Sequence, residues 1–210
     1  SLTHNKKLLL LHDKTSKWMR QNPYLLGPNW KCGQEVSLRV IHFIFSLRLL
    51  GLGPAHLDGS QVEFIQIHLD RILPTLSYAR GQKNNHWISE IAALFIGGVW
   101  LRNHHISRKK LYIEIAVKQL RLALKKLFND DGSFAQSSFN YLRHALTLIS
   151  IIKLESEVEG VDIKFDKKIE KTILLFREFS AFDGKQAHNW GANDGSDPLS
   201  LACSDFLDPS

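Results

Sequence analysis

Apolar residues recur every three or four positions along most of the chain, the spacing that lines one face of an α-helix. The pattern predicts seven helices, at residues 5–20, 31–50, 60–81, 85–102, 108–128, 138–154 and 166–179. No segment shows the alternation of apolar and polar residues that predicts a strand. The predicted fold class is therefore all-α, with antiparallel helix pairs packed as a bundle, a solenoid or an incomplete α/α toroid.

Local signals refine two of these helices. Ser60 and Glu63 have the spacing of a capping box, which predicts that a helix begins at Ser60. Pro74 lies inside the same helix, and we expect it to bend the helix rather than end it. The polar run 129–132 predicts the turn between the helices expected at residues 108–128 and 138–154.

The last thirty residues differ from the rest, because glycine, proline and polar residues replace the helical pattern. We expect one helical domain over residues 1–210, with an irregular tail from about residue 181. A loop that long in a compact domain is often functional. Since the chain begins at Ser1 without an initiator methionine, we expect the natural start to lie upstream.

Composition narrows the class of protein. With 210 residues, 44% of them hydrophobic, the chain is long enough for one globular core, and its apolar stretches are too short to predict a membrane span. Two cysteines are too few for a disulfide framework or a zinc site. The net charge of +6 favours a polyanionic partner, but the basic residues form no stripe and no recognised motif, so nucleic acid is not expected.

Two short segments carry candidate chemistry. Asn84, Asn85 and His86 follow a polar loop at the start of an apolar helix, where Asn84 is a good N-cap. Glu90 lies one turn after His86 and is placed to hold its imidazole in one tautomer. Tyr141 lies near the start of the helix predicted at residues 138–154, after several polar residues. No third ligand at suitable spacing accompanies His86 and Glu90, so neither a metal nor another cofactor is expected.

Both segments resemble elements of one family. Residues 84–94 resemble the Asn-Asn-His…Glu-Ala-x-Ala-Leu signature of the heparinase II/III family of polysaccharide lyases, whose N-terminal domain is an α/α toroid. Residues 131–141 are similar to its Asp-Gly-Ser…Glu/Gln-x-Ser-x-x-Tyr-His element, at a similar distance from the first, except that Leu142 replaces the final histidine. Residues 27–39 resemble its Gly-x-Asn-Trp…Glu…Arg stretch, and residues 189–195 its Gly-Ala-Asn-Asp-Gly element.

The resemblance implies cleavage of a uronic acid polysaccharide, such as a glycosaminoglycan or alginate, by β-elimination. Asn85, assisted by His86, would neutralise the substrate carboxylate, and Tyr141 would act as general base or acid. The resemblance also implies a set of carbohydrate-binding residues. These are Asn84, Trp30, Arg39, Gln136, Arg143, Trp190 and Asn193.

The resemblance has consequences for the extent and location of the protein. In the family a C-terminal β-sandwich domain adds a further catalytic residue across the cleft, and we expect that domain to be absent from this chain and the chain to be catalytically incomplete. A periplasmic or cell-envelope location in a bacterium would follow. The main alternative is a non-catalytic helical module that binds acidic polysaccharide through its basic surface. A glycoside hydrolase would need two paired carboxylates, and no such pairing is recognisable.

Overall fold

The computed structural model describes residues 3–161, 163, 165, 167–180 and 190–192, and these residues form eight α-helices. The helices are α1 (His4–Gln21), α2 (Gly33–Leu49), α3 (Gly59–Ile72), α4 (Leu76–Gln82), α5 (Asn85–Trp100), α6 (Lys109–Leu127), α7 (Phe139–Val158) and α8 (Lys167–Ser180). Short 3-10 turns lie at Pro28–Trp30, Pro54–His56 and Leu73–Thr75. The described residues contain no strand, only an isolated bridge between Phe128 and Phe134. The all-α prediction is therefore confirmed.

Helix α5 is the centre of the core. Every one of its residues except His86 is buried, as expected for a helix that is apolar on all sides. It contacts α2, α3, α4, α6 and α7. Gly97 and Gly98 allow two of these helices to approach closely, since a Cβ at Gly97 would lie 2.8 Å from Leu69 of α3, and one at Gly98 would lie 3.0 Å from Tyr112 of α6.

Two local predictions for the region of α3 need correction. The N-cap is Asp58, whose carboxylate accepts a hydrogen bond from Gln61 N (2.9 Å), while the Gln61 side chain accepts one from Asp58 N (3.1 Å). The capping box predicted at Ser60 is therefore wrong. Pro74 interrupts the predicted bent helix, because it removes an amide donor and its ring clashes with the preceding turn. Helix α3 ends at Ile72, and α4 begins at Leu76.

The predicted absence of a membrane span agrees with the helices that the structure describes, none of which is long and apolar enough to cross a membrane. Only residues 190–192 of the predicted tail are described, and they are not helical. Asn193 and the rest of the tail lie outside the described residues.

Candidate functional site

The Asn84-Asn85-His86 segment lies where α5 begins. Asn84 is the N-cap, and its side-chain oxygen accepts a hydrogen bond from His86 N (3.1 Å). Lys83, just before it, adopts a left-handed conformation (φ 51°) that ends α4. The capping role expected for Asn84 is thus confirmed, and the cap fixes where the next two side chains point.

Asn85 is the hub of a polar network between helices. It is only 2% exposed. Its amide N donates to Gln136 Oε1 (2.7 Å), and its side-chain Nδ2 donates to Gln34 Oε1 of α2 (3.3 Å). Its carbonyl oxygen accepts a bond from Ser89 Oγ (3.1 Å). Asn85 therefore joins α2, α5 and the segment before α7.

His144 extends this network into α7. It is almost fully buried, and its Nε2 lies 2.8 Å from Ser89 Oγ. Neither His144 nor Gln34 was expected from the sequence. The available signal was their polar character within predicted helices, since burying such a group without a partner is costly.

The start of α7 is tied to the described part of the tail. Ser138 is the N-cap of α7, and its hydroxyl accepts a bond from Tyr141 N (3.3 Å) and donates one to Ala192 O (2.8 Å). Phe139 N donates to Trp190 O (2.8 Å). Gly191 lies between these anchors at φ +87°, and a Cβ there would lie 2.6 Å from Ser138 Cα. The close contact requires glycine.

Tyr141 and Arg143 follow in α7. Tyr141 is half-buried and packs against the core. One Arg143 guanidinium nitrogen donates to Asn140 Oδ1 (3.3 Å), and Asn140 in turn lies 3.5 Å from Ala192 O. Arg143 therefore supports the start of α7, and its role as a substrate ligand stays a prediction.

His86 and Glu90 lie one turn apart on α5 and line a cavity of about 310 Å³. Glu90 is 3% exposed, and its Oε2 has no hydrogen-bond partner among the described residues. Burial raises the pKa of Glu90 to about 8, although the neighbouring His86 and Arg71 oppose the rise. The described residues show no hydrogen bond between Glu90 and His86, so the orienting role predicted for Glu90 stays a prediction.

Trp30 and Arg39 belong to an aromatic cluster on α2 and the turn before it. Trp30 is 2% exposed and packs against Trp18, Tyr24 and His68. The Arg39 guanidinium lies 4.4 Å from the Trp18 ring centroid and donates to Asn29 O (3.0 Å). Burial lowers the pKa of Arg39. Sugar stacking on Trp30 or binding by Arg39 would require these neighbours to move.

Trp190 and Gln136 line a second, larger cavity of about 570 Å³. Trp190 is 52% exposed, and its ring makes a tilted contact with Phe139 and an edge contact with Phe179. Tyr141 lines neither this cavity nor the one beside His86. Among the residues that the structure covers, no three histidine, cysteine or acidic side chains are grouped to hold a metal ion.

Comparisons with protein-family models, with curated proteins and with solved structures found no match for this chain.

Proposed function

We propose that this chain is the helical half of a polysaccharide lyase that cleaves an acidic, uronate-containing polysaccharide by β-elimination. One observation carries the proposal: the four segments that resemble the heparinase II/III elements are linked by hydrogen bonds. Asn85, in segment 84–94, donates hydrogen bonds to Gln34 of segment 27–39 and to Gln136 of segment 131–141. Ser138 of segment 131–141 donates one to Ala192 O of segment 189–195. These segments are far apart in sequence but close together in the fold, as the parts of one functional site must be.

The helix contacts support an incomplete α/α toroid as the finer description of the fold. Consecutive helices α2 and α3 are in contact, as are α5 and α6. Helix α5 also contacts α2 and α7, which are not its neighbours in sequence. A toroid of successive helix pairs requires both kinds of contact.

The proposed mechanism assigns separate tasks to three side chains. β-Elimination removes a weakly acidic proton beside a carboxylate, so donors must neutralise the charge that develops there. Asn85 and His86 supply these donors, and Tyr141 takes the C5 proton as general base or protonates the leaving glycosidic oxygen as general acid. The C4–O bond then breaks as the C4–C5 double bond forms. A tyrosine hydroxyl needs a nearby cation or strong donor to act as a base. Asn85 would have to exchange its bond with Gln34 for one with the substrate.

The non-catalytic alternative also has an observation in its favour. The Asn85 carboxamide is buried and already bonded to Gln34, as a purely structural residue would be. The net charge of +6 would suffice to attract an acidic polysaccharide. A binding module needs no exposed Asn85 and no proton transfer by Tyr141.

Elimination by the full-length gene product distinguishes the two functions. Heparin, heparan sulfate, alginate and bacterial surface polysaccharides are tested as substrates, and the ultraviolet absorbance of unsaturated uronate ends is followed. We expect Tyr141→Phe to lower the rate at least about a hundredfold while polysaccharide binding persists. Tyr24→Phe, which removes the hydroxyl of an exposed tyrosine, should keep the rate.

Two results would contradict parts of this proposal. Binding without elimination across the panel, unchanged by Tyr141→Phe, would favour the non-catalytic module. Robust turnover by the 210-residue chain alone would overturn the expectation that it is catalytically incomplete.

A further inference from the structure

The N-terminal helix α1 lies on the surface of the protein with one side open to solvent. None of its residues is buried, and it packs against the core through Leu11, Trp18 and Met19. Its other side carries Leu9 and Leu10, which are 69% and 46% exposed. Since successive residues of a helix point about 100° apart, these two leucines lie on either side of the charged residues of that face. Helix α1 is therefore held by one face and leaves two leucines in water.

The turn that follows α1 exposes three more large side chains. Leu26 N donates to Pro23 O (2.9 Å), which closes the turn. Tyr24, Leu25 and Leu26 are 41%, 55% and 64% exposed. Leu25 has a φ of 63°, a left-handed conformation that is unfavourable for any residue with a Cβ. A bulky apolar residue is thus held in a strained conformation at an exposed position, and such strain is typical of functional sites.

Cations surround these exposed side chains and are not neutralised. Residues 3–31 contain one acid, Asp13, and six cations, all of them exposed. The cations are Lys6, Lys7, Lys14, Lys17, Arg20 and Lys31. None of the six forms an ion pair within the described part of the chain. This N-terminal surface (residues 3–31) is therefore basic and also carries exposed apolar groups.

Helix α6 has the same balance of charge without the exposed apolar groups. It contains six lysines and arginines and one acid, Glu114. Its one large exposed hydrophobic side chain is Leu111, whereas the N-terminal surface has five. A partner held by charge alone would find the two regions equally suitable. The leucines of the N-terminal surface suit a partner that is anionic and also accepts apolar side chains.

We propose that the N-terminal surface binds to anionic lipid membranes, with Leu25 and Leu26 inserted between the headgroups. Lysine and arginine beside leucine are the composition of helices that lie in the membrane interface. Tyrosine, here Tyr24, is favoured at the same depth, because its ring is apolar and its hydroxyl is polar. The inference does not rest on the lyase proposal, since Asn85, His86 and Tyr141 lie outside residues 3–31.

Two features favour a membrane over an acidic protein as the partner. Five of the six cations are lysines, which are depleted in protein–protein interfaces. At a membrane, their long stems can lie along the apolar region while the charged ends stay at the headgroups. The exposed leucines are also spread along α1 and the turn, and a fluid bilayer needs no matching pocket for each of them.

Cosedimentation with sucrose-loaded vesicles tests the lipid class. The 210-residue chain is mixed with vesicles of phosphatidylcholine alone or of equal parts phosphatidylcholine and phosphatidylglycerol. We expect saturable binding to the mixed vesicles, at least about tenfold weaker binding to phosphatidylcholine, and loss of most binding when salt is raised from about 0.1 M to about 1 M. Equal binding to both vesicles would overturn the role of charge. An absence of binding to the mixed vesicles, or tighter binding to soluble poly-L-glutamate, would overturn the lipid assignment.

A variant of the turn separates binding from folding. Leu25→Gly combined with Leu26→Gln should weaken binding to the mixed vesicles at least about fivefold. Urea denaturation should show unchanged or higher stability, because glycine adopts the φ of Leu25 without strain. Leu49→Gln changes an equally exposed leucine (64%) at the far end of α2 and should leave binding unchanged. Unchanged binding of the double variant, or an equal loss in Leu49→Gln, would overturn the insertion of the turn. A loss of stability in the double variant would overturn the link between the strain and binding.

A matched pair of lysine variants locates the contribution of charge. Lys17→Gln removes an exposed cation of the N-terminal surface and should weaken binding to the mixed vesicles about fivefold. Lys118→Gln makes the same change at an exposed position of α6 and should leave binding unchanged. Equal losses in the two variants would show that the net charge of the whole protein is responsible, and they would overturn the location.

Discussion

Replacing Glu90 by glutamine changes how the stability of the protein depends on pH. Burial raises the pKa of Glu90 to about 8 from the ordinary value of 4.5, so the folded protein holds this proton more tightly than the unfolded chain. The contribution to stability is fully present below about pH 4.5 and is lost as the pH rises to about 8. Glutamine has nearly the same shape and does not ionise, so the variant avoids this loss.

The expected magnitude follows from the two pKa values. Each pKa unit corresponds to about 1.4 kcal/mol, so between pH 5 and pH 9 the wild-type protein should lose about 4 kcal/mol relative to Glu90→Gln. Urea denaturation gives the free energy of unfolding of both proteins at both pH values. The change in this free energy from pH 5 to pH 9 is then compared between wild type and variant, so that the effects of pH on the groups they share cancel. A loss of that size is a large part of the stability of an ordinary domain.

The exposed Glu63 on α3 provides a matched control. Glu63→Gln removes the same charge from a solvated carboxyl, and its stability relative to wild type should change little between pH 5 and pH 9. An equally flat response of Glu90→Gln would show that the buried carboxyl ionises as easily as a solvated one, and the reasoning from its burial would be refuted.

Three further changes test other parts of the structure. Burial lowers the pKa of His68 to about 3, so the wild type should lose stability as the pH falls from 6.5, and His68→Gln should lose about 3 kcal/mol less between pH 7 and pH 4 in urea denaturation. Arg48→Met removes the ion-pair partner that lies 2.7 Å from the buried Glu155 carboxylate, and it should lower the free energy of unfolding by about 3–5 kcal/mol. Urea denaturation should show that adding Glu155→Gln restores most of this stability. Gly191→Ala should detach residues 190–192 from α7, which hydrogen exchange would report as at least about tenfold faster exchange of the Phe139 amide.

The helix positions were predictable because a helix that packs on a core needs apolar residues every three or four positions, and this spacing is visible in the sequence. Each of the seven predicted helical regions overlaps an observed helix, and α5 is buried along its length as its continuous apolar sequence indicates. The exact ends of the helices depend on which of several nearby residues caps them. Asp58 and Ser60 are both good N-caps, and only the observed bonds with Gln61 show that Asp58 begins α3. Sequence spacing alone could not rank them.

The sequence could predict which segments form the candidate site, but it could not predict which residues in them are in contact. Asn84 and Asn85 stand out in sequence because two amides precede an apolar helix, but their neighbours come from other helices. Gln34 and His144 are ordinary residues of amphipathic helices until α2 and α7 pack on α5 and bring them to Asn85 and Ser89. The partners of a buried polar group are set by tertiary packing, which local sequence does not specify.

Asn85 shows most clearly what this network means for function. Its amide N–H and its carboxamide both donate hydrogen bonds within the protein, so the residue joins α5 to α2 and to the segment before α7 before any ligand arrives. A substrate carboxylate would have to compete with Gln34 for the carboxamide, and a hydrogen bond to a charged group is stronger than one between two neutral amides. In the proposed mechanism, Gln34 therefore holds the Asn85 carboxamide in place until a charged substrate replaces it.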